Sequence, residues 1–444
     1  MHFYEKDGKY YFFDNETSAF NSIPLEIGRK IEKFSDKEIE AMLLPLLKKR
    51  DKIEGQKVSY EKCKRLVMVI SQTCNLDCTY CYADGGRYGE EKDLFMTKDT
   101  FKAGIKLFSE IYPKGIENLM FFGGEPLTNF ELMKDMCDWV SRYFHEKGME
   151  RPMFSIVTNG TLITDEVIDL FEKYKFSVTI SLDGNKHIND RFRIFKGNNG
   201  SVYDVVQRNI RKMNETRSFP LSVEMTVNSG NIQQYIDNGS DYLLDLEAID
   251  SLGVDFVHCV PVLCEETSPE SVYNCNDRQS VLDYIDKMVK YSLDTLTTLD
   301  PLPMVKVTDM IAKVVHKTRT KNFCMAGIAD FSISTNGTIY PCFVLNNQKD
   351  MNMGNVKEFI FEEFSQKRDY FKGITFDNNS DCQTCWAKGI CSNCIGNAYL
   401  INGSLSKVIP SACDMQKIIL ERIIAEVINH SSSDRSNQLS AESV

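Results

Sequence analysis

Three thiols stand in a Cys-x3-Cys-x2-Cys spacing, Cys74, Cys78 and Cys81, inside the stretch Ser71-Gln72-Thr73-Cys74-Asn75-Leu76-Asp77-Cys78-Thr79-Tyr80-Cys81-Tyr82. An apolar run, Leu66-Val67-Met68-Val69-Ile70, precedes them and reads as a buried strand. A strand feeding a cysteine loop gathers three thiolates at one corner, where they can hold an iron–sulfur cluster. Three ligands are one short of a full set, so the fourth iron keeps a position open to a small molecule. A zinc knuckle, or three unrelated cysteines, would show the same spacing.

A second cysteine-rich stretch spans residues 324–413. Cys324-x12-Gly337-x4-Cys342 reads as a hairpin with Thr335-Asn336-Gly337 as its turn, and Ile339-Tyr340 in its second strand. Cys382-x2-Cys385-x5-Cys391-x2-Cys394 follows, and then Cys413. Seven cysteines at short gaps are specific for metal binding; a pair of zinc sites is the plainer alternative. Cys63, Cys137, Cys259, Cys264 and Cys275 have no ligand spacing. Free cysteine is often a small buried apolar residue, which is the expectation for Cys63 and Cys137. The other three approach the catalytic face.

Composition excludes several classes. The 444 residues suggest two or three domains, and 42% apolar with 26% charged residues is ordinary for a globular protein. A net charge of −11 disfavours a nucleic-acid backbone as partner. Apolar runs are too short to span a bilayer, and Met1-His2-Phe3-Tyr4-Glu5-Lys6 opens no secretory signal, so a cytoplasmic location without membrane contact is expected. Fifteen cysteines there point to metal or catalysis rather than disulfides.

The elements that must position these thiols alternate strand and helix. Strands are expected at 65–71, 118–122, 153–158, 177–182, 221–227 and 254–260, with helices at 98–112, 129–147, 164–174 and 201–215 between them. That rhythm implies βα units and a parallel sheet, whose ligands sit beyond the C-terminal strand ends. The polar motifs fall at those ends: Gly123-Gly124-Glu125-Pro126, Thr158-Asn159-Gly160 and Ser181-Leu182-Asp183-Gly184. Glycines there would let backbone approach a ligand closely, and the Glu125 carboxylate could accept from an ammonium group.

In front of this core, residues 1–60 read as a separate module. Phe3-Tyr4, Lys9-Tyr10-Tyr11-Phe12-Phe13 and Ser18-Ala19-Phe20 are three short strands. A helix is expected from Ser22-Ile23 with Pro24 in its first turn, and a second after a Ser35-x-x-Glu38 capping box, ended by Pro45. Strands followed by two helices suggest a winged-helix shape. Eleven basic and eleven acidic side chains leave it no basic patch for DNA. Behind the core, 265–323 is a bridge, with a helix opening at Glu266-Thr267-Ser268-Pro269 and running to about Leu296, then Pro301 and Pro303 before another helix. A last helix runs from Asp414 to about Asn429, and the Ser-rich 431–444 reads as a disordered tail.

The cysteine loop resembles the radical S-adenosylmethionine (SAM) superfamily, and residues 324–413 resemble the SPASM domain. The first resemblance covers 65–260 and implies a partial (β/α)6 barrel, residues 61–264, with SAM chelating the open iron and cleaved to a 5′-deoxyadenosyl radical. It places Tyr80, Gly123, Gly124, Glu125, Pro126, Asn159, Ser181, Asp183 and Arg193 of Asp190-x-x-Arg193 around SAM, with Val260-Pro261 against the adenine. The second implies two auxiliary [4Fe–4S] clusters in 324–430, giving three clusters in all. Cys382, Cys385, Cys391 and Cys413 would hold the distal one, and Cys324, Cys342 and Cys394 the nearer. The family usually has three residues between the last close pair, where this chain has only Ser392-Asn393. The nearer set has no cysteine just ahead of it, Cys275 being the closest upstream, so an open iron there could bind a substrate thiolate.

Residues 1–60 are similar to the leader-binding element of peptide-modifying radical enzymes, where a peptide adds to a sheet edge. Together these resemblances imply an oxidoreductase that installs a Cys-sulfur-to-carbon thioether in a ribosomally made precursor peptide, as in sactipeptide and ranthipeptide maturation. A flavodoxin or ferredoxin would supply the electron. Formylglycine formation, carbon–carbon cross-linking and epimerisation use the same core. A non-catalytic zinc scaffold is the alternative of another class.

Overall fold

Lys9–Asp14 (β2) carries four consecutive aromatics, Tyr10 to Phe13, all buried. A strand buried on both faces must lie in the middle of its sheet, and β2 does: it pairs antiparallel with His2–Lys6 (β1) and Ala19–Pro24 (β3). The computed structural model describes residues 1–31, 34, 38–39, 61–92, 94–197, 200–237, 243–262, 264, 268–272, 278–298 and 304–441. The first helix, Leu25–Ile31 (α1), starts three residues later than expected, because Ser22 and Pro24 pair with Tyr11 and Lys9 of β2. Ser35 and Pro45, on which the second helix of a winged-helix shape was to rest, lie outside the described residues. The small sheet is held against the C-terminal part of the chain. His2 stacks on Trp386 with ring centroids 4.0 Å apart and reaches Glu421 at 2.8 Å. Arg319 donates to Ser18 Oγ and Asn15 Oδ1, each at 2.8 Å.

Cys63–Gln72 (β4) is the central strand of the main sheet, and Leu66 to Ile70 are almost wholly buried. Leu94–Phe95 (β5) crosses its end antiparallel. Ile116–Gly123 (β6), Met153–Thr158 (β7), Ser177–Ser181 (β8), Leu221–Val227 (β9) and Phe256–Pro261 (β10) follow in order, each parallel to the last. These six strands are the expected βα core. Lys98–Ile111 (α2), Phe130–Glu146 (α3), Asp165–Tyr174 (α4), Lys186–Phe192 (α5), Val202–Asn214 (α6), Ser229–Asp237 (α7) and Leu243–Asp250 (α8) lie between them in sequence. Thr97, Thr164 and Ser201 cap α2, α4 and α6, each hydroxyl accepting from a backbone N–H three residues on. Along β8, Val178 and Ile180 are fully buried while Ser177, Thr179 and Ser181 are only half-buried. The alternation gives the sheet an apolar face and a polar one.

The cysteine-rich region does not stand apart as a separate domain. Asp330–Ile333 (β11) pairs parallel with β4, and Thr338–Tyr340 (β12) and Gly354–Asn355 (β13) continue the same sheet in the order β10-β9-β8-β7-β6-β4-β11-β12-β13. Phe331 of β11 packs against Phe108 and Phe364 with centroids 5.1 and 5.4 Å apart, and Arg65 bonds Asp330 at 2.8 Å. Arg278–Thr298 (α9) begins well after the expected Glu266, which lies outside the described residues, as do Pro301 and Pro303. Val305–Val315 (α10), Phe361–Lys372 (α11) and Ile395–Asn402 (α12) follow. Pro410–Ala441 (α13) departs from the expected tail: it starts before Asp414 and continues as helix past Asn429, through a polar stretch with no Gly or Pro to stop it. Among the described residues no helix is long and apolar enough to cross a membrane.

Because β11 borrows its packing from the barrel, truncating Phe331 must loosen both. Phe331→Ala should cost about 3–5 kcal/mol. Urea unfolding followed by both iron absorbance and far-UV circular dichroism checks this, with a single coincident transition expected.

Candidate active site

The cysteine loop leaves the C-terminal end of β4 and folds under backbone contacts. Asp77 N donates to Ile194 O at 2.7 Å and Thr79 N to Phe192 O at 3.0 Å, pinning the loop to the end of α5. On its other side lie Gly123, Gly124 and Gly86. A Cβ on Gly124 would fall 2.3 Å from Thr73 O and 2.6 Å from Gly86 Cα; one on Gly123 would fall 2.2 Å from Ser71 O. The glycines thus let two loops of the chain itself meet.

Glu125 also serves the chain. Its side chain is fully buried, and Oε1 accepts from Leu127 N (3.0 Å) and Thr158 Oγ1 (2.7 Å), Oε2 from Asn159 N (2.7 Å). With those donors in place the carboxylate ties β6 to β7. Burial pushes the carboxyl from 4.5 up to about 7, against the pull of the three donors. Pro126 opens the short 3-10 turn that follows, where its missing N–H costs nothing. Asn159 stands beside the first thiol: Nδ2 lies 3.6 Å from Cys74 Sγ and 2.8 Å from Asn75 Oδ1. Leu76 N donates to the same sulfur at 3.4 Å.

Asp183 is another buried hub. Oδ1 accepts from Arg193 (3.0 Å) and Thr226 N (3.0 Å), and Oδ2 from the Tyr80 hydroxyl. Tyr80 and Asp183 are thus hydrogen-bonded to each other, and Asp183 to β9 beside them. Arg193 differs. Its guanidinium lies over the Tyr80 ring at 5.6 Å and pairs with Asp183, but the buried Nε has no partner among the described residues. An orphaned guanidinium N–H fits an anionic ligand group. On the polar face of the sheet, Ser181 of β8, Glu224 of β9 and His258 of β10 are cross-strand neighbours in one row. Burial raises the Glu224 carboxyl and lowers the His258 imidazole. Glu224 and His258 belong to no linear motif; the polar alternation Ser222, Glu224, Thr226 along β9 is the signal that marks the row.

The thiols fall into three groups, and all of the described cysteines are free. Cys74 is pushed up to about 12 and Cys78 to about 11 by burial, with Cys78 acting on the first and Cys81 on the second. Cys324 is pushed up to about 12 by burial and then by Cys394; Cys342 is raised by burial, Cys394 and Cys324. Cys382 and Cys391, at about 11 and 12, feel Cys385 and Cys413. Within each of the three sets, two of them implied by the resemblance to the SPASM domain, the thiols act on one another. Among the described residues no three His, Cys, Asp or Glu side chains close on a point as ligands of one metal ion would, so the thiols are gathered but not converged. Soft sulfur donors in sets of three and four suit iron–sulfur clusters, and ligation would drive off the protons that burial retains. Tyr82 lies between two of the sets, feeling both Cys81 and Cys342, and Phe122 packs on Phe343 at 4.6 Å. Cys63 and Cys137 are buried among apolar side chains, as expected. Cys275 lies outside the described residues.

A cavity of about 190 Å³ opens between β10, α9, α10, α12 and α13. Val260 and Pro261 line it with Cys259, and Cys394 of the nearer auxiliary set reaches it from the other side.

Residues 68–232 match the radical SAM superfamily and residues 324–386 the SPASM iron-sulfur cluster-binding domain. The chain is a radical SAM protein with a SPASM domain. It is 26% identical over 385 residues to a cysteine-type anaerobic sulfatase-maturating enzyme of Clostridium novyi (strain NT), covering 82% of this chain and 95% of that one. It is 22% identical to the radical SAM cyclopropyl synthase TigE of Paramaledivibacter caminithermalis, over 82% of this chain and 74% of the other. Among solved structures, anSMEcpe with bound AdoMet superposes with a TM-score of 0.69 at 17% identity, covering 83% and 95% of the two chains. SuiB of Streptococcus suis bound to precursor peptide SuiA gives 0.52 at 17% identity, covering 93% and 98%. Both share the fold.

Glu125→Gln turns an NH2 towards one of the three incoming donors and should cost about 1–3 kcal/mol. The carboxyl's folded pKa is raised, so its stabilisation is complete below about 4.5 and is lost as pH rises through about 7. The stability gap between wild type and the non-titrating variant, from urea unfolding, should therefore narrow as pH increases over that window. A widening gap would contradict the assignment.

Proposed function

We propose that this protein installs a thioether cross-link, Cys sulfur to carbon, in a ribosomally synthesised precursor peptide. One observation carries the reading. Among the described residues the nearer auxiliary set has three thiols, Cys324, Cys342 and Cys394, and Cys394 borders the cavity beside the barrel. A three-thiol set leaves room for a fourth sulfur, which the substrate's own cysteine can supply. The precursor-peptide complex of SuiB and the peptide complexes of anSMEcpe support a peptide as substrate.

Cys74, Cys78 and Cys81 would hold a [4Fe–4S] cluster, which with SAM would supply the radical chemistry. The chain's residues do the rest. Arg193 Nε meets the SAM carboxylate, Ser181 and the residues of its row face the nucleoside, and Asn159 and Leu76 N–H groups steady Cys74. Two auxiliary clusters occupy the sets at Cys324, Cys342, Cys394 and at Cys382, Cys385, Cys391, Cys413. The module at 1–60 receives the leader of the precursor at a sheet edge, and 265–323 bridges the barrel to the SPASM domain. A flavodoxin or ferredoxin is the reductant, and the setting is the cytoplasm. Formylglycine formation is the second reading, favoured by the sulfatase-maturating relative that matches along nearly its whole length.

Anaerobic reconstitution should yield roughly twelve irons per chain, a brown protein and 5′-deoxyadenosine on adding dithionite and SAM. Cys394→Ala should keep 5′-deoxyadenosine release but lower cross-linked peptide at least tenfold by tandem mass spectrometry. A wild-type product that has lost two hydrogens without a thioether would select the second reading, and a colourless zinc protein would exclude both.

A further inference from the structure

The cavity beside β10 has a one-sided chemistry. Its walls are aliphatic and sulfur-bearing, among them Val260, Ile285, Met288, Met310 and Ile419. Among the described residues the charged side chains that line it are Lys306 and Lys407, with no Asp or Glu. Neither ammonium group makes a hydrogen bond or ion pair among the described residues, whereas most lysines of the barrel surface, such as Lys64, Lys98 and Lys186, are paired with carboxylates. The charge of the exposed Lys306 also pulls the Glu224 carboxyl and the His258 imidazole down. In a chain of net charge −11, two cations without a carboxylate partner among the described residues, lining an apolar hollow, form a local exception.

Size narrows the occupant. Pockets for whole small ligands run from roughly 300 Å³ upward, so about 190 Å³ suits one or two side chains rather than a free cofactor. Methionines give such a wall adaptability to different apolar shapes. We propose that this cavity binds the reacting segment of the peptide through a bulky apolar side chain with an acidic residue next to it, the carboxylate lying between Lys306 and Lys407. The inference rests on the peptide-modifying reading and adds the chemical character of the substrate. Cys394 at the far wall places the segment where its cysteine would meet the nearer auxiliary set.

The test is equilibrium binding, which needs no turnover and so separates failure of this inference from failure of the radical chemistry. Blocked peptides Ac-Gly-Leu-Glu-Gly-NH2, its Gln counterpart and its Lys counterpart are titrated into reconstituted, oxygen-free protein by saturation-transfer NMR. The Glu peptide should bind about fivefold tighter than the Gln peptide and at least tenfold tighter than the Lys peptide, with the preference shrinking in high salt. Lys306→Glu combined with Lys407→Glu changes two exposed side chains and should reverse the order, favouring the Lys peptide. Met310→Trp, which fills the hollow, should weaken all three about tenfold. Equal binding of the three peptides, an unchanged order in the charge-reversed protein, or no binding of any probe would overturn the proposal.

Discussion

The site depends on two loops coming within van der Waals reach through their backbones alone. Gly123 and Gly124 end β6 directly against Ser71 and Thr73, which end β4, and Gly86 closes the contact from the far side of the cysteine loop. Gly124 N and Glu125 N donate to Ser71 O and Thr73 O at 2.9 and 2.8 Å. Any side chain at these positions would push the cysteine loop off the barrel rim. Three thiols spread over eight residues are thereby fixed relative to the strand ends, without a disulfide or a rigid helix to carry them.

Around that contact, buried carboxylates do the bracing. Glu125 joins β6 to β7, and Asp183 joins the end of β8 to β9, Tyr80 and Arg193. Fully satisfied buried networks of this kind rigidify their surroundings, and a half-satisfied one would destabilise them. Arg193 Nε, without a partner among the described residues at the centre of the second network, is therefore the more telling atom. The extension of the sheet by β11 carries the same logic to the cysteine-rich region. Hydrogen-bonded to β4, the hairpin brings Cys342 and Phe343 to the side of the barrel where Cys81 and Phe122 lie.

Much of this was legible in the sequence. Six strands with parallel pairing followed from short apolar runs separated by helical stretches, the first thiol set from its spacing, and the division of the other seven thiols from the resemblance to the SPASM domain. What a linear pattern cannot display is the partner of a polar group. Glu125 and Asp183 sit at strand ends, and nothing in their neighbours along the chain names the donors that bind them. Likewise β11 looked like half of an isolated hairpin, because nothing in Asp330–Ile333 announces that Arg65 and Phe108 await it across the sheet. Glu224 and His258 escaped notice for a related reason: a single polar residue in a strand is unremarkable until register sets it beside two others.

The central claim is that Cys74, Cys78 and Cys81 hold a cluster with one iron left for SAM. Electron paramagnetic resonance on reduced protein tests it most directly, using a variant whose SPASM cysteines are all changed to Ala so that one signal remains. The account predicts a [4Fe–4S]⁺ spectrum whose g-values shift when SAM is added and broaden with ¹⁷O- or ¹⁵N-labelled methionine carboxylate or amine. A spectrum indifferent to SAM, or no iron signal from that site, would contradict it.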